Sequence, residues 1–330
     1  MRLHLPKLLR SRVGSVLPWL AMASVLVVAA LVNSLIDLGS LTLDTKPLFP
    51  AHPAAAVSVD LPSVTRHLTA RIAWGLASIG FSLVTIAAVA TALYVLGSCF
   101  RELSHRDRVA GAVLIACCVV PFIAIVFLGS DLVLSEPAVT TALRKATLHQ
   151  TSATAAVSAD SLFDNLSYLI FLLLAAAASA AVLWPTTDGK SPALLRRRVA
   201  RVHALVLIGA TALALRALEM YFLYRWPGAW LTGPMAQSVD EIALAVSTAY
   251  GSFFTGILAS IYLPVAFVLR SRANSLADDA VLGGAEDHEG WLTKSGLRFQ
   301  PFQEFGRLLA VLAPLLAGGP VAKIIGTFGG

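Results

Sequence analysis

Long apolar blocks separated by short polar and basic segments set the pattern of this chain. Six blocks stand out, roughly Val16–Ile36, Ile72–Leu96, Val109–Gly129, Phe163–Trp184, Val202–Phe222 and Ala243–Leu269. Each reaches or approaches the ~20 residues that a helix needs to cross ~30 Å of hydrocarbon. The pattern predicts an all-α, polytopic bundle of six transmembrane helices over residues 1–272. A linker and an amphipathic tail, residues 273–330, follow it.

The charges between the blocks give the bundle a direction. Arg2, Lys7, Arg10 and Arg12 precede the first block. Arg101, Arg106 and Arg108 follow the second, Lys190, Arg196, Arg197, Arg198 and Arg201 follow the fourth, and Arg270 and Arg272 follow the sixth. The alternate connections are poorer, with Lys46, Arg66 and Arg71 in one, Arg144 and Lys145 in the next, and Arg225 alone in the last. Lys and Arg stay on the cytoplasmic side during insertion. Six spans with both ends cytoplasmic therefore account for every loop, in a bacterial inner membrane. Trp19, Trp74, Trp184 and Trp226 fall at the block ends, the headgroup level that amphipathic rings prefer. Val28-Ala29-Ala30 loosely resembles a signal cleavage site. The apolar run continues to Ile36, which favours an uncleaved anchor.

Two outer loops, 37–71 and 130–162, exceed ordinary turns. Pro47, Pro50, Pro53 and Pro62 punctuate the first, and Ser63–Arg71 is expected to lengthen the second helix outward. In the other, Pro137–His149 reads as a short helix, followed by an aperiodic Ser/Thr/Ala stretch, Thr151–Ser161. Arg108-Val109-Ala110 and Arg198-Val199-Ala200 open the third and fifth blocks alike, a weak echo of a duplicated hairpin.

Composition changes the class of molecule rather than its layout. Charged residues make up 13% of the chain and apolar residues 57%. A soluble domain has about 25% charged residues, so this surface faces lipid. The net charge of +6 sits at the block ends, which argues for topology and against nucleic acid as a partner. Cys99, Cys117 and Cys118 lie in no outer loop and imply neither a disulfide nor a metal site.

Two sets of residues carry the candidate chemistry. In the sixth block Thr248, Ser252, Gly256 and Ser260 recur every fourth residue, with Gly251, Thr255 and Ala259 beside them. This spacing keeps them on one helix face. Such a face either packs closely on another helix or lines a wet path, and Pro264 near the inner end permits a kink. In the fifth block Arg216 and Glu219 stand three apart and can meet as an intramembrane ion pair or relay. Asp240 and Glu241 are the expected partners across the mouth. His52, His67 and His149 have no metal-ligand spacing, and His203 reads as an interfacial histidine. Cys99 is either a buried thiol or an acylation site, and Asp37 a boundary residue.

In the tail, Asp278, Asp279, Glu286, Asp287 and Glu289 mark a solvated linker, and Trp291–Phe299 a short element. Phe302, Phe305, Leu308, Leu309, Leu312 and Leu316 then recur at helical spacing up to Gly318-Gly319-Pro320. This segment is expected on the inner leaflet or against the bundle, and residues 291–328 are a docking candidate for a cytoplasmic protein. There is no Gly-x-Ser-x-Gly elbow, His-Glu-x-x-His pair or phosphate loop, and no cofactor or catalytic residue is assigned. The sequence thus points to a pore-like or signal-sensing bundle coupled through its tail. A small ion-coupled transporter is the second reading and an intramembrane enzyme the third. Small-residue faces make a homo-oligomer reasonable.

Overall fold

The computed structural model describes residues 61–128, 154–183, 191–283, 287–297 and 311–321, with Val16, Trp19 and Leu20. Every described element is a helix. They run α1 (Leu61–Arg101), α2 (His105–Leu128), α3 (Thr154–Val182), α4 (Pro192–Arg225), a 3-10 turn (Trp226–Trp230), α5 (Pro234–Leu282) and α6 (His288–Lys294). Residues 311–316 are helical and pass into a π turn, Ala317–Val321. Four helices are long and apolar enough to cross a membrane, spanning Val64–Arg101, Leu162–Val182, Pro192–Ala229 and Pro234–Leu282. α2 covers the third expected span up to Leu128. The first span, the Pro137–His149 helix and most of both outer loops lie outside the described residues.

The helices outrun the apolar blocks, for a physical reason. Hydropathy reports where lipid begins, whereas a helix satisfies its own backbone in either solvent. α1 starts at Leu61, so Ser63–Arg71 does lengthen the second helix. The Ser/Thr/Ala stretch was expected to be aperiodic, but α3 begins inside it, at Thr154. Ala155, Ala156 and Ala159 are strong helix formers that show no amphipathic period. Similarly, Arg196 to Arg201 form the first turns of α4 rather than a loop, opened by Ser191 and by Pro192 at the first helical position. α5 passes through Pro264 without a break and ends at Leu282.

α4 is the centre of the bundle, with α1, α3 and α5 packed around it. Its partner face on α1 has a seven-residue rhythm: Ser78, Phe81, Thr85, Ala88, Ala92, Val95 and Cys99 are buried, while Leu76, Ile79, Leu83, Ile86 and Leu93 are exposed. Alternating steps of three and four keep one seam on the neighbour and favour left-handed, coiled-coil-like packing. The exposed apolar residues form the lipid-ready face.

At one end of the bundle, arginines cap helices. Arg108 donates to the carbonyls of Leu103 (2.8 Å) and Arg101 (3.1 Å), and so closes the C-terminus of α1. Arg198, fully buried, donates to Ala181 O (3.1 Å) and to Leu183 O at the end of α3. Arg272 donates to Val182 O at 2.6 Å. The last carbonyls of a helix lack internal partners and carry partial negative charge, so a cation there satisfies both needs. Glu102 holds this layer together, accepting from Arg198 at 3.2 Å and Arg201 at 2.7 Å. Cys99 is buried beneath it, 3.8 Å from Arg201.

Candidate functional site

At the opposite end, near Trp226, α1, α3 and α4 converge on a buried charge cluster. Arg216 and Glu219 are both fully buried and form an ion pair. Arg216 also donates to Asp164 Oδ1 on α3. The second oxygen of Glu219, Oε1, accepts from the Trp74 indole Nε1 at 2.5 Å. The guanidinium lies 5.9 Å from the Phe81 ring centroid and 5.8 Å from that of Phe163. Those two rings meet edge to face, 5.5 Å apart. A charge at the centre of a membrane helix costs at least ~2.5–3.5 kcal/mol by insertion scales. Here the carboxylate of Glu219 has a donor on each oxygen, and the cation has two acidic partners and two π faces. These contacts are the ones that repay burial of charge.

The expected pairing of Arg216 with Asp240 or Glu241 is corrected by this geometry. Asp240 lies 2.6 Å from Arg225 and accepts from the Tyr221 hydroxyl at 3.3 Å. Glu241 accepts from Gln237 at 3.0 Å. Asp240 stands across from Arg225, about 13 Å along α4 from Arg216 and beyond the reach of its side chain. Asp164 is the closer acid, supplied by a different helix. Trp74 and Trp226, expected as headgroup anchors, instead face protein. Their rings are 5.6 Å apart, and His67 also lies 5.6 Å from Trp226. The three rings roof the cluster. His203 sits lower, 6.5 Å from Tyr262.

The hydroxyl stripe of α5 divides into two halves. Ser252 is exposed and bonds back to Thr248 O at 2.8 Å, Gly256 is half-buried, and Ser260 is buried with its hydroxyl on Ile257 O at 2.7 Å. Thr248 and its neighbours hold the chain's own tail. Gly318 O accepts from Ser247 Oγ at 2.5 Å and from Thr248 Oγ1 at 3.1 Å. Thr255 Oγ1 accepts from Leu315 N at 3.2 Å. The fit depends on two glycines. A Cβ on Gly251 would collide with the Pro314 carbonyl, and one on Gly318 with the Ser247 carbonyl. A π turn frees backbone groups, and at membrane depth these need partners within the protein. The hydroxyls supply them.

Tail and cluster share a level. Arg225 against Asp240 and His203 beside Tyr262 fix the register of the antiparallel pair α4 and α5. Seven residues inward from each member of the first pair places Ser247 across from Leu218, between Arg216 and Glu219. The π turn also packs against α4. The sequence therefore exposed Arg216, Glu219 and Thr248 as features, and packing of the tail against the bundle as one of two placements, but missed Asp164, Ser247 and the bond from Trp74. Asp164 carried a usable signal, a lone acid at the edge of an apolar block. Ser247 carried none. A small apolar cleft between α3, α4 and α5, lined by Leu174, Val206, Ile261 and Tyr262 among others, has room for about one water.

No family model matches this chain, and neither a curated protein nor a solved structure shows significant similarity to it.

Proposed function

We propose that this chain is a multi-pass membrane protein of the signal-sensing kind. Its Arg216–Glu219–Asp164 cluster responds to conditions at the Trp226 end, and its docked tail reports the response. The membrane reading rests on four long apolar helices and a surface poor in charge. The count of six spans over residues 1–272, in a bacterial inner membrane with the Arg198 end cytoplasmic, rests on the distribution of arginines. The observation that carries the functional reading is the shared level of cluster and tail on α4 and α5. A change in the cluster shifts α4, and α4 forms one wall of the tail's seat.

The pore reading is weaker, because residues 314–319 cover the Thr248 half of the stripe that such a path would use. Ion-coupled transport is the second reading, and one observation favours it. A helix that gives way to a π turn at Ala317–Val321 stands at the depth of buried charges, a combination that transporter sites use.

Disulfide cross-linking tests the sensing reading. Thr255→Cys and Leu315→Cys are placed together in membranes, in the native cluster and in Arg216→Leu. The reading expects a marked loss of cross-link in the Arg216→Leu background at equal expression. An unchanged cross-link rate contradicts it. Ion uptake by proteoliposomes, abolished in Glu219→Gln, would move the assignment to transport.

A further inference from the structure

The arginine-capped end holds more positive charge than its own contacts use, and the surplus gathers at the seam between α1 and α4. We propose that the outer face of this seam binds an anionic phospholipid. Arg101 and Arg197 hold its phosphate, and its acyl chains lie along the exposed apolar surface below them.

Glu102 fixes the seam. Its carboxylate accepts from Arg198 at 3.2 Å and from Arg201 at 2.7 Å, so the C-terminus of α1 and the first turns of α4 lie side by side. Arg101 is its neighbour in the chain, and Arg197 stands one turn before Arg201 on the same side of α4. Both are exposed. Arg108 donates to Arg101 O at 3.1 Å and brings a further cation to the same corner. Arg101, Arg108, Arg197, Arg198 and Arg201 thus surround one carboxylate, which two of them already occupy. The next acid, Asp107, accepts from Ser104 Oγ at 2.7 Å at the start of α2. Arg198 and Arg108 are spent on helix-end carbonyls. Among the described residues, Arg101 and Arg197 have no carboxylate partner.

The seam runs from these cations directly into apolar surface. Helical spacing puts Arg101, Gly97 and Tyr94 on one face of α1, and Arg197, Ala200, Ala204 and Leu207 on one face of α4. All seven are exposed, and the space above Gly97 is open. Both helices are among the four that can cross a membrane, and both have an end at this level. Tyr94 lies about 10 Å along α1 from Arg101, at a rise of ~1.5 Å per residue. A molecule that covers both must carry charge at one end and hydrocarbon over the rest. Paired guanidinium forks match a phosphate diester, because each offers parallel N–H donors. A phosphatidylcholine brings its own ammonium, which leaves the surplus of charge in place. An anionic headgroup neutralises it.

This site rests on the membrane reading and not on the sensing role. Native mass spectrometry of the full chain in detergent tests it, with phosphatidylglycerol and phosphatidylcholine of identical acyl chains added in equal amounts. The expected result is preferential retention of phosphatidylglycerol. Arg101→Gln with Arg197→Gln should lower that preference about 30-fold, about fivefold for each arginine lost. Arg270→Gln, which removes an exposed arginine of α5 at the same end, should leave it unchanged. A double variant that has lost its fold is recognised by its unfolding midpoint in lipid-free detergent, and the single variants then carry the test at about fivefold each. Equal retention of the two lipids by the parent overturns the site and leaves the membrane reading intact, whereas retention of neither overturns both. A loss in Arg270→Gln as large as in the double variant reduces the preference to diffuse surface charge and overturns the site. Displacement of phosphatidylglycerol by glycerol phosphate at the same concentration overturns the lipid assignment in favour of a soluble anion.

Discussion

Replacing Arg216 with leucine removes the donor that Glu219 and Asp164 share, while leaving a fully buried carboxylate at Glu219. Trp74 Nε1 then remains as its described hydrogen-bond donor. Breaking a buried ion pair from one side costs about 3–5 kcal/mol, because the remaining charge stays desolvated. The loss of two π contacts, at 5.8 and 5.9 Å, acts in the same direction. Removing both partners, as Arg216→Leu with Glu219→Leu, relieves that stranded charge. Such paired replacements range from neutral to stabilising by about 1–4 kcal/mol. Asp164 is one-third exposed and can be solvated. The double variant should therefore be more stable than Arg216→Leu alone, by about 2 kcal/mol or more. The buried thiol of Cys99 provides the assay, since a thiol-reactive fluorophore reaches it only on unfolding. Cys117→Ser and Cys118→Ser silence the other two thiols. Unfolding midpoints of the three proteins in one detergent decide the matter. A double variant as unstable as the single, or an Arg216→Leu protein within 0.5 kcal/mol (about the scatter of surface substitutions) of the parent, refutes the argument.

Three further outcomes follow from the packing. Gly251→Leu should displace the tail and abolish the Thr255→Cys/Leu315→Cys cross-link, whereas Gly97→Ala, with open space at its Cβ, should leave the cross-link unchanged. Arg198→Leu leaves carbonyls of α3 and a carboxylate oxygen of Glu102 without this donor, and should cost about 3 kcal/mol in the same unfolding assay. Its exposed neighbour serves as the control, since Arg197→Leu should stay within about 0.5 kcal/mol. Trp74→Phe keeps the ring stack but removes the 2.5 Å donor to Glu219, and should lower stability by about 1–3 kcal/mol, less than Arg216→Leu.

The parts of this fold that were legible in the sequence are those fixed by solvent. Apolar block length located α1, α3, α4 and α5, because hydrocarbon imposes a minimum length on a crossing helix. Arg216 and Glu219 were conspicuous because charge is rare inside such blocks. What the sequence hid depends on which helix stands beside which. Asp164 and Trp74 complete the cluster from α3 and α1, and no local periodicity connects them to Arg216. The basic residues were read as signals for insertion, yet Arg108, Arg198 and Arg272 are also structural caps on helices α1 and α3. Composition cannot distinguish an arginine in water from one spent on a carbonyl. The choice between the inner leaflet and the bundle was left open for a related reason. Its apolar spacing is the same whether it rests on a bilayer surface or against a helix, and only the partners Ser247, Thr248 and Thr255 settle its depth.

The central claim is that the charge cluster and the docked tail act on each other through α4. A double-mutant cycle measures that interaction directly, combining Arg216→Leu with the tail-displacing Gly251→Leu and reading stability through Cys99. Independent sites add to within about 0.3–0.5 kcal/mol, whereas residues sharing a network deviate by about 0.5–3 kcal/mol. The account predicts a deviation of about 1 kcal/mol, with the second substitution costing less once the first is present. Simple additivity would show that cluster and tail share a level in the bundle without sharing a function.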